Sequence, residues 1–409
     1  RNTEDDHFAR DRLCFCRRLS SLTLLASSAM TVSARCLTEY AEREKNMQNQ
    51  SMDPYRGRMV AVRKILAQYS MDGILFSSPS NIRYLSGFDG SESILIVSGD
   101  QSVLLVDGRY TTQASNQVHL AISISRSANH IQGIKETTKA LGIARLGFEA
   151  ACVTVEFYHA LREACPALEF VALAEEVRLL RAAKDKHEIL TMKKAAAMAS
   201  EAVLEIISEM RPGWTELETA LALEFKARQK GAQQVSFEPI IASGENAALP
   251  HAKPSHRKIR HGDFVVIDFG VRYGGYCSDE TCTVAIGELT GDQKNAYRAV
   301  LQAHDEAIAI LAAGINAADV DRAVRKALGK KFSRYFVHGT GHGVGLDVHE
   351  APRLAPQSRD VLKAGMMFTI EPGLYYPGKW GVRIEDTVLV KKNGCEVITK
   401  MNKELIIIE

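Results

Sequence analysis

No run of apolar residues in the sequence approaches the roughly twenty needed to span a bilayer as a helix, so a soluble protein is expected. A cysteine framework is also missing. The eight cysteines, at 14, 16, 36, 152, 165, 277, 282 and 395, follow no regular spacing, and Cys14-Phe-Cys16 lacks the paired pattern of a zinc module. Reduced thiols in a reducing, cytoplasmic compartment are the expectation. An excess of either charge is nearly absent: 51 basic and 49 acidic side chains leave a formal net charge of +2. That field is too weak to recruit nucleic acid or a membrane surface, and small or neutral substrates fit it better.

What is present is an ordinary globular composition. With 409 residues, 46% hydrophobic and 24% charged, the chain can bury a sizeable core and is long enough for more than one domain. Residues 17–30 place a basic pair before a Ser- and Thr-diluted apolar stretch, and Glu4, Asp5 and Asp6 precede it, which argues against a signal peptide. Residues 1–58 read as an upstream extension or a disordered tail. Globular patterning starts at Met59. Helical spacing to Tyr69, short buried strands at 73–76, 93–97, 103–106 and 145–148, and helices near 130–141 and 154–164 outline an N-terminal α/β domain over 59–180.

A second domain is expected over 181–409. Helices near 185–210 and 215–230 are separated by Pro212-Gly213, with Thr215 placed as a cap, and helices near 292–312 and 317–330 repeat the pattern around Gly314 and Asn316. Strand-like sequence follows each pair. This hints at an internal duplication with a site between the halves.

The chemistry concentrates on Asp263 to Ile286, which reads as a hairpin turning at Tyr273-Gly274-Gly275. A Tyr273-Gly274 turn would set Asp268 directly opposite Asp279; a Gly274-Gly275 turn would leave them diagonal but still on one face. Like charges on an apolar hairpin need something positive between them, and a divalent cation is the simplest candidate. Three later segments add to it. In His338-Gly-Thr-Gly-His342-Gly-Val-Gly-Leu-Asp-Val-His349 the glycines argue against helix and for backbone packed close to a site. Met367-Phe-Thr-Ile-Glu371-Pro-Gly is an apolar strand ending in a carboxylate. Gly381-Val-Arg383-Ile-Glu385 to Val390 reads as one strand with Arg383 and Glu385 on the same face.

Singly, a strand-borne Glu is more often solvated and a lone His more often a core residue. As a set, Asp268, Asp279, His342, Glu371 and Glu385 offer four carboxylates and one imidazole, whose charge two divalent cations would balance. Oxygen-rich ligation with one imidazole suits Mn²⁺, with Co²⁺, Zn²⁺ or Fe²⁺ possible.

These motifs resemble those of the metallopeptidases with a pita-bread catalytic fold, in the Xaa-Pro aminopeptidase and Xaa-Pro dipeptidase (prolidase) branch. The resemblance covers about 59–409, including Asn81-Ile-Arg-Tyr-Leu-Ser-Gly-Phe88 and Val106-Asp-Gly-Arg-Tyr110 in the N-terminal domain. It implies a creatinase-like α/β domain followed by a pita-bread domain with a pseudo-two-fold duplication. It also implies the same five residues as metal ligands, with Asp279 and Glu385 bridging two ions. His251, in Leu249-Pro-His-Ala252, would line the substrate site, His338 and His349 would contact the substrate, Arg383 would support Glu385, and Glu371 would move the proton. The implied activity is hydrolysis of the bond between an N-terminal residue and proline in short peptides, by a homodimer. The alternatives are a dipeptidase and, more remotely, a non-catalytic peptide-binding or chaperone-like protein on the same scaffold.

Overall fold

Residues 54–119 and 121–409 are described by the structure, a computed structural model. The expected extension falls outside them except for its last residues, since a helix over Pro54–Gln68 begins before Met59. Arg58–Glu409 pack as one unit. Among the described residues no helix is long and apolar enough to cross a membrane.

The N-terminal sheet contains β1 (Gly73–Phe76), β2 (Ser93–Ser98), β3 (Ser102–Val106), β4 (Ser123–Arg126), β5 (Arg145–Glu149) and β6 (Glu169–Leu173), in the order β4-β3-β2-β1-β5-β6. Strands β1, β2 and β3 pair antiparallel and the remaining neighbours pair parallel. The central strands are wholly buried and read as apolar runs. The edge strands β4 and β6 are only partly buried, with weak patterns that sequence reading missed.

The remainder is two helix pairs laid against two sheets. Helices Lys186–Glu209 and Glu216–Gln229 each start with a complete capping box, Asp185 with Glu188 and Thr215 with Glu218. Their apolar faces cover a four-stranded sheet, β20-β12-β9-β8, made of β8 (Ile240–Ser243), β9 (Phe264–Phe269), β12 (Glu280–Ile286) and β20 (Ile407–Ile408). Helices Gly291–Ala309 and Ala317–Phe332 cover the five-stranded sheet β14-β13-β15-β18-β19 in the same way. Its strands are β13 (Gly341–Gly343), β14 (Glu350–Leu354), β15 (Met367–Ile370), β18 (Asp386–Lys391) and β19 (Gly394–Val397). On Gly291–Ala309, Ala296, Val300, Ala303 and Ala307 recur at helical spacing and are fully buried. Asn316 occupies the N-cap position of the last helix but does not cap it; its amide donates to Asp319 instead.

The structure decides one open expectation and corrects another. The hairpin turns at Gly274-Gly275, both with positive φ, since β10 (Val271–Tyr273) pairs with β11 (Tyr276–Cys277) through Tyr273 opposite Tyr276. Asp268 therefore lies opposite Thr281, and Asp279 sits diagonally from it, as the second register requires. Strands β10 and β11 leave the sheet of β9 and β12 and join the short β7 (Gln234–Val235). Gly381 to Val390 is not one strand. β17 (Trp380–Arg383) pairs with β16 (Gly373–Tyr376), β18 belongs to the five-stranded sheet, and Ile384-Glu385 form the break. The Glu385 N–H donates across to Thr281 O, which joins the two halves at this point.

The expected close packing of the glycine-rich segment is present. A Cβ on Gly341 would lie 1.8 Å from Thr369 O, so only glycine lets β13 approach β15 this closely. Gly341→Ala should destabilise the protein by about 2 kcal/mol or more. Its thermal midpoint should fall several degrees, whereas Gly291→Ala, with open space at the start of a helix, should leave it unchanged or raised.

Candidate metal centre

The five carboxylate and imidazole candidates arrive on five segments. Asp268 lies near the end of β9, Asp279 just before β12, His342 in the middle of β13, Glu371 just after β15, and Glu385 in the break between β17 and β18. All five line one cavity of about 610 Å³, together with His251, His338, His349 and Arg383. Strand ends and breaks suit this role because the chain there can leave the ladder and aim a side chain inward.

Asp279, His342 and Glu385 bring donor atoms within 4.8 Å of one another. Glu371 Oε1 is 3.3 Å from His342 Nε2, and Asp279 Oδ2 is 3.7 Å from it. Asp268 and Glu371 stand outside the close trio but face the same cavity. Asp268 Oδ2 accepts from Arg383 Nη2 at 2.5 Å, while its Oδ1 is buried without a hydrogen-bond partner among the described residues. The His342 ring sits with Nδ1 3.2 Å from Gly343 O, so Nδ1 carries the proton and Nε2 offers its lone pair to the cavity.

The electrostatics are those of an anionic pocket short of positive charge. Burial, followed by the neighbouring carboxylates, holds Asp279 and Glu385 well above the usual carboxylate range. Burial also pushes Glu371 up to about 7, against the pull of Arg383 and with the push of Asp268. One guanidinium cannot neutralise four carboxylates in a buried volume. An orphaned carboxylate oxygen, mutually repelling acids and an imidazole presenting Nε2 together fit divalent cations.

The surrounding hydroxyls fix these groups and were not picked out from sequence. Thr281 donates to Glu385 Oε2 at 2.5 Å and accepts from Arg383 Nε at 3.2 Å. Thr369 donates to Glu371 at 3.2 Å and accepts from the His342 N–H at 3.1 Å. Both were within reach of strand logic, since Thr281 is Asp268's cross-strand partner and Thr369 lies two residues before Glu371. Tyr375 had no such signal. Its buried hydroxyl touches His338 Nε2 at 2.8 Å and Arg383 Nη1 at 2.9 Å. Arg383 makes its ion pair with Asp268 and meets Glu385, which it was expected to support, through the shared Thr281 hydroxyl.

The three further histidines differ in their freedom. His338 has both ring nitrogens engaged, by Gly339 O and by Tyr375, and burial lowers it to about 4, so it is a neutral ring. His349 meets the His342 ring edge-on, with centroids 4.3 Å apart, and burial then His342 lower it as well. His251 is exposed at the cavity, on a loop held in place by Pro250 O accepting from Arg383 Nη1.

A neighbouring space lies at the seam with the N-terminal sheet. This second cavity, of about 840 Å³, shares His349, Glu350 and Arg353 with the first and is lined on the other side by Asn81, Glu149 and Cys152. The seam is ionic: Arg181 pairs with Asp347 and Glu350, Lys184 pairs with Glu350, and the Ser80 hydroxyl donates to Asp347.

Comparison with known proteins agrees with this geometry. Residues 58–183 match the creatinase/prolidase N-terminal domain, and residues 191–392 match metallopeptidase family M24. An uncharacterized peptidase of Bacillus subtilis, YqhT, is 39% identical over 352 residues, covering 86% of this chain and 100% of its own. The solved Xaa-Pro dipeptidase from Bacillus anthracis is 40% identical, covers 86% of this chain and 99% of its own, and superposes with a TM-score of 0.84. The X-Pro aminopeptidase from Thermotoga maritima MSB8 is 35% identical over 83% of this chain and 98% of its own, with a TM-score of 0.77. Two domains in this order, matched over nearly the full length of such relatives around a pocket of four carboxylates and an imidazole, place the chain in metallopeptidase family M24, the pita-bread peptidases that depend on divalent metal ions.

Proposed function

We propose that the protein hydrolyses the bond between an N-terminal residue and a following proline in short peptides, as an Xaa-Pro aminopeptidase. The observation that carries this reading is the convergence of Asp268, Asp279, His342, Glu371 and Glu385 on a cavity lined by three more histidines. In this reading those five residues hold two divalent cations, Mn²⁺ being the best match for oxygen-rich ligation with one imidazole and Co²⁺, Zn²⁺ or Fe²⁺ the alternatives. Such ions lower the pKa of water and polarise a carbonyl when bound.

The protein's own groups do the rest. Glu371, which accepts from the Thr369 hydroxyl and lies 3.3 Å from His342 Nε2 at the cavity, is suited to take a proton from the attacking water and deliver it to the proline nitrogen as the C–N bond breaks. Arg383 and Thr281 keep Asp268 and Glu385 in place. His251 and His349 flank the substrate, and neutral His338 packs its ring against the wall of the cavity with its nitrogens committed elsewhere. Selection for proline follows from chemistry: an X-Pro bond has no N–H for an ordinary peptidase to grip, so a site shaped for the ring gains the advantage.

An aminopeptidase is favoured by the larger seam cavity that adjoins the catalytic one at His349, Glu350 and Arg353, a neighbouring space for residues beyond the proline. A dipeptidase is the second reading. It is favoured by Lys253 and Arg353 on the cavity wall, cationic partners for a proline carboxylate, and by the name of the Bacillus anthracis relative. A cytoplasmic homodimer completes the proposal. Leu221 and Phe225, exposed about one turn apart on Glu216–Gln229, offer an apolar patch to a second copy.

Chelator-stripped protein should cleave Arg-Pro-Pro after its first residue, and Gly-Pro, only when Mn²⁺ is restored, and should leave Gly-Leu intact. Cleavage of Gly-Pro alone establishes the dipeptidase; cleavage of neither, with no metal bound, establishes the non-catalytic scaffold. Asp279→Ala should lower kcat/KM at least about a hundredfold while circular dichroism stays native. The His338 ring should titrate near 4 by NMR in the metal-free protein. Its folded value lies below the unfolded value of 6.5, so the stability this ring contributes is complete above pH 6.5 and is lost as pH falls toward 4.

A further inference from the structure

The carboxylates of the metal centre have neighbours that the mechanism does not use. Asp279 is followed by Glu280 at the start of β12, and Glu385 by Asp386 at the start of β18. Successive residues on an extended chain point to opposite faces, so each candidate ligand aimed into the cavity is backed by an acid aimed away from it. Glu280 is 3% exposed and Asp386 4% exposed, and neither lines the cavity.

Both acids enter one buried network. Glu280 accepts from the Ser200 hydroxyl, from the Met401 N–H at 2.9 Å and from Lys403 Nζ at 2.7 Å. Asp386 accepts from the Thr399 hydroxyl, and faces Lys403 Nζ at 3.2 Å and His304 Nε2 at 3.1 Å. The arrangement follows the duplication. Ser200 lies on the first helix of the first pair and His304 on the first helix of the second, each beneath its own acid. Lys403 has no such equivalent. It comes from the segment between β19 and β20, is 8% exposed, and its carbonyl is held by the Tyr297 hydroxyl at 2.8 Å.

We propose that Lys403 is a positioning residue for the metal centre: its ammonium ties Glu280 to Asp386 and thereby fixes the spacing of Asp279 and Glu385 on the opposite face. This rests on the reading of Asp279 and Glu385 as metal ligands. Without the ammonium, two buried carboxylates on neighbouring elements repel each other directly, and the strands can relieve that repulsion only by moving the residues beside them. The Thr387 hydroxyl, which donates to Asp279 O at 2.7 Å, couples the two strand starts through a second link that such a shift would strain.

The test is calorimetric titration of chelator-stripped protein with Mn²⁺. Lys403→Met should raise the Mn²⁺ Kd by at least about tenfold, and Lys403→Arg, which keeps the charge, should restore most of the affinity. Thr399→Val, which is nearly isosteric and removes the bonds that the Thr399 hydroxyl makes to Asp386 and to the Thr387 N–H, should raise the Kd by about threefold and decides the matter if Lys403→Met does not fold. Wild-type Mn²⁺ affinity in both Lys403→Met and Thr399→Val overturns the proposal, even if their melting temperatures fall, because Lys403 then serves stability alone. Wild-type protein that binds no Mn²⁺, Co²⁺ or Zn²⁺ overturns the metal-centre reading and this proposal with it.

Discussion

Repulsion among four buried carboxylates is the constraint on which the rest of this structure depends. Asp268, Asp279, Glu371 and Glu385 share one cavity in which Arg383 is the cation bonded to the cluster, and burial, with the neighbouring carboxylates, holds Asp279, Glu371 and Glu385 above the usual carboxylate range. Holding such a cluster requires rigid backbone on all sides. The fold supplies it by drawing the ligands from strand ends in two separate sheets and fastening them with hydroxyls from Thr281 and Thr369. Arg383 contributes one fixed positive charge, oriented by Tyr375 and Thr281. The energy stored in the cluster becomes affinity for cations, which is why so unfavourable an arrangement can be kept.

Much of this was legible in the sequence because the chemistry and the punctuation are local. Thr215, read as a cap, does cap its helix through a contact made within a single turn, and the structure adds the reciprocal bond from Glu218 and a second such box at Asp185 with Glu188. The glycines around His342 announced close backbone packing, and Gly341 against Thr369 is that packing. What escaped depends on partners distant in the chain. Gly381 to Val390 looked like one strand because apolar alternation carries no mark of which sheet a residue joins; the break at Glu385 is dictated by its bond to Thr281, more than a hundred residues away. The register of the hairpin turned on which two of Tyr273, Gly274 and Gly275 form the turn, and only the positive φ of both glycines decides it. Asn316 had the right residue type for a cap, yet Asp319 captured its side chain.

The N-terminal domain is more than a cover for this site. Its Ser80, together with Arg181 and Lys184 in the connection that follows, grips Asp347 and Glu350, the residues that flank His349. The glycine-rich segment is anchored on one side by Val344 and Leu346, buried in the core, and on the other by these ionic contacts. Arg181 and Lys184 both meet Glu350, so removing either cation would leave that acid less compensated.

The two helix pairs and their sheets divide the site between them. Asp268 and Asp279 come from the first half, and His342, Glu371 and Glu385 from the second, so the candidate cation site lies on the boundary between them. The first half supplies acids alone and the second supplies the imidazole, so any sliding of one half against the other would pull the candidate donors apart. The bond from the Glu385 N–H to Thr281 O opposes that movement at the point where the halves meet.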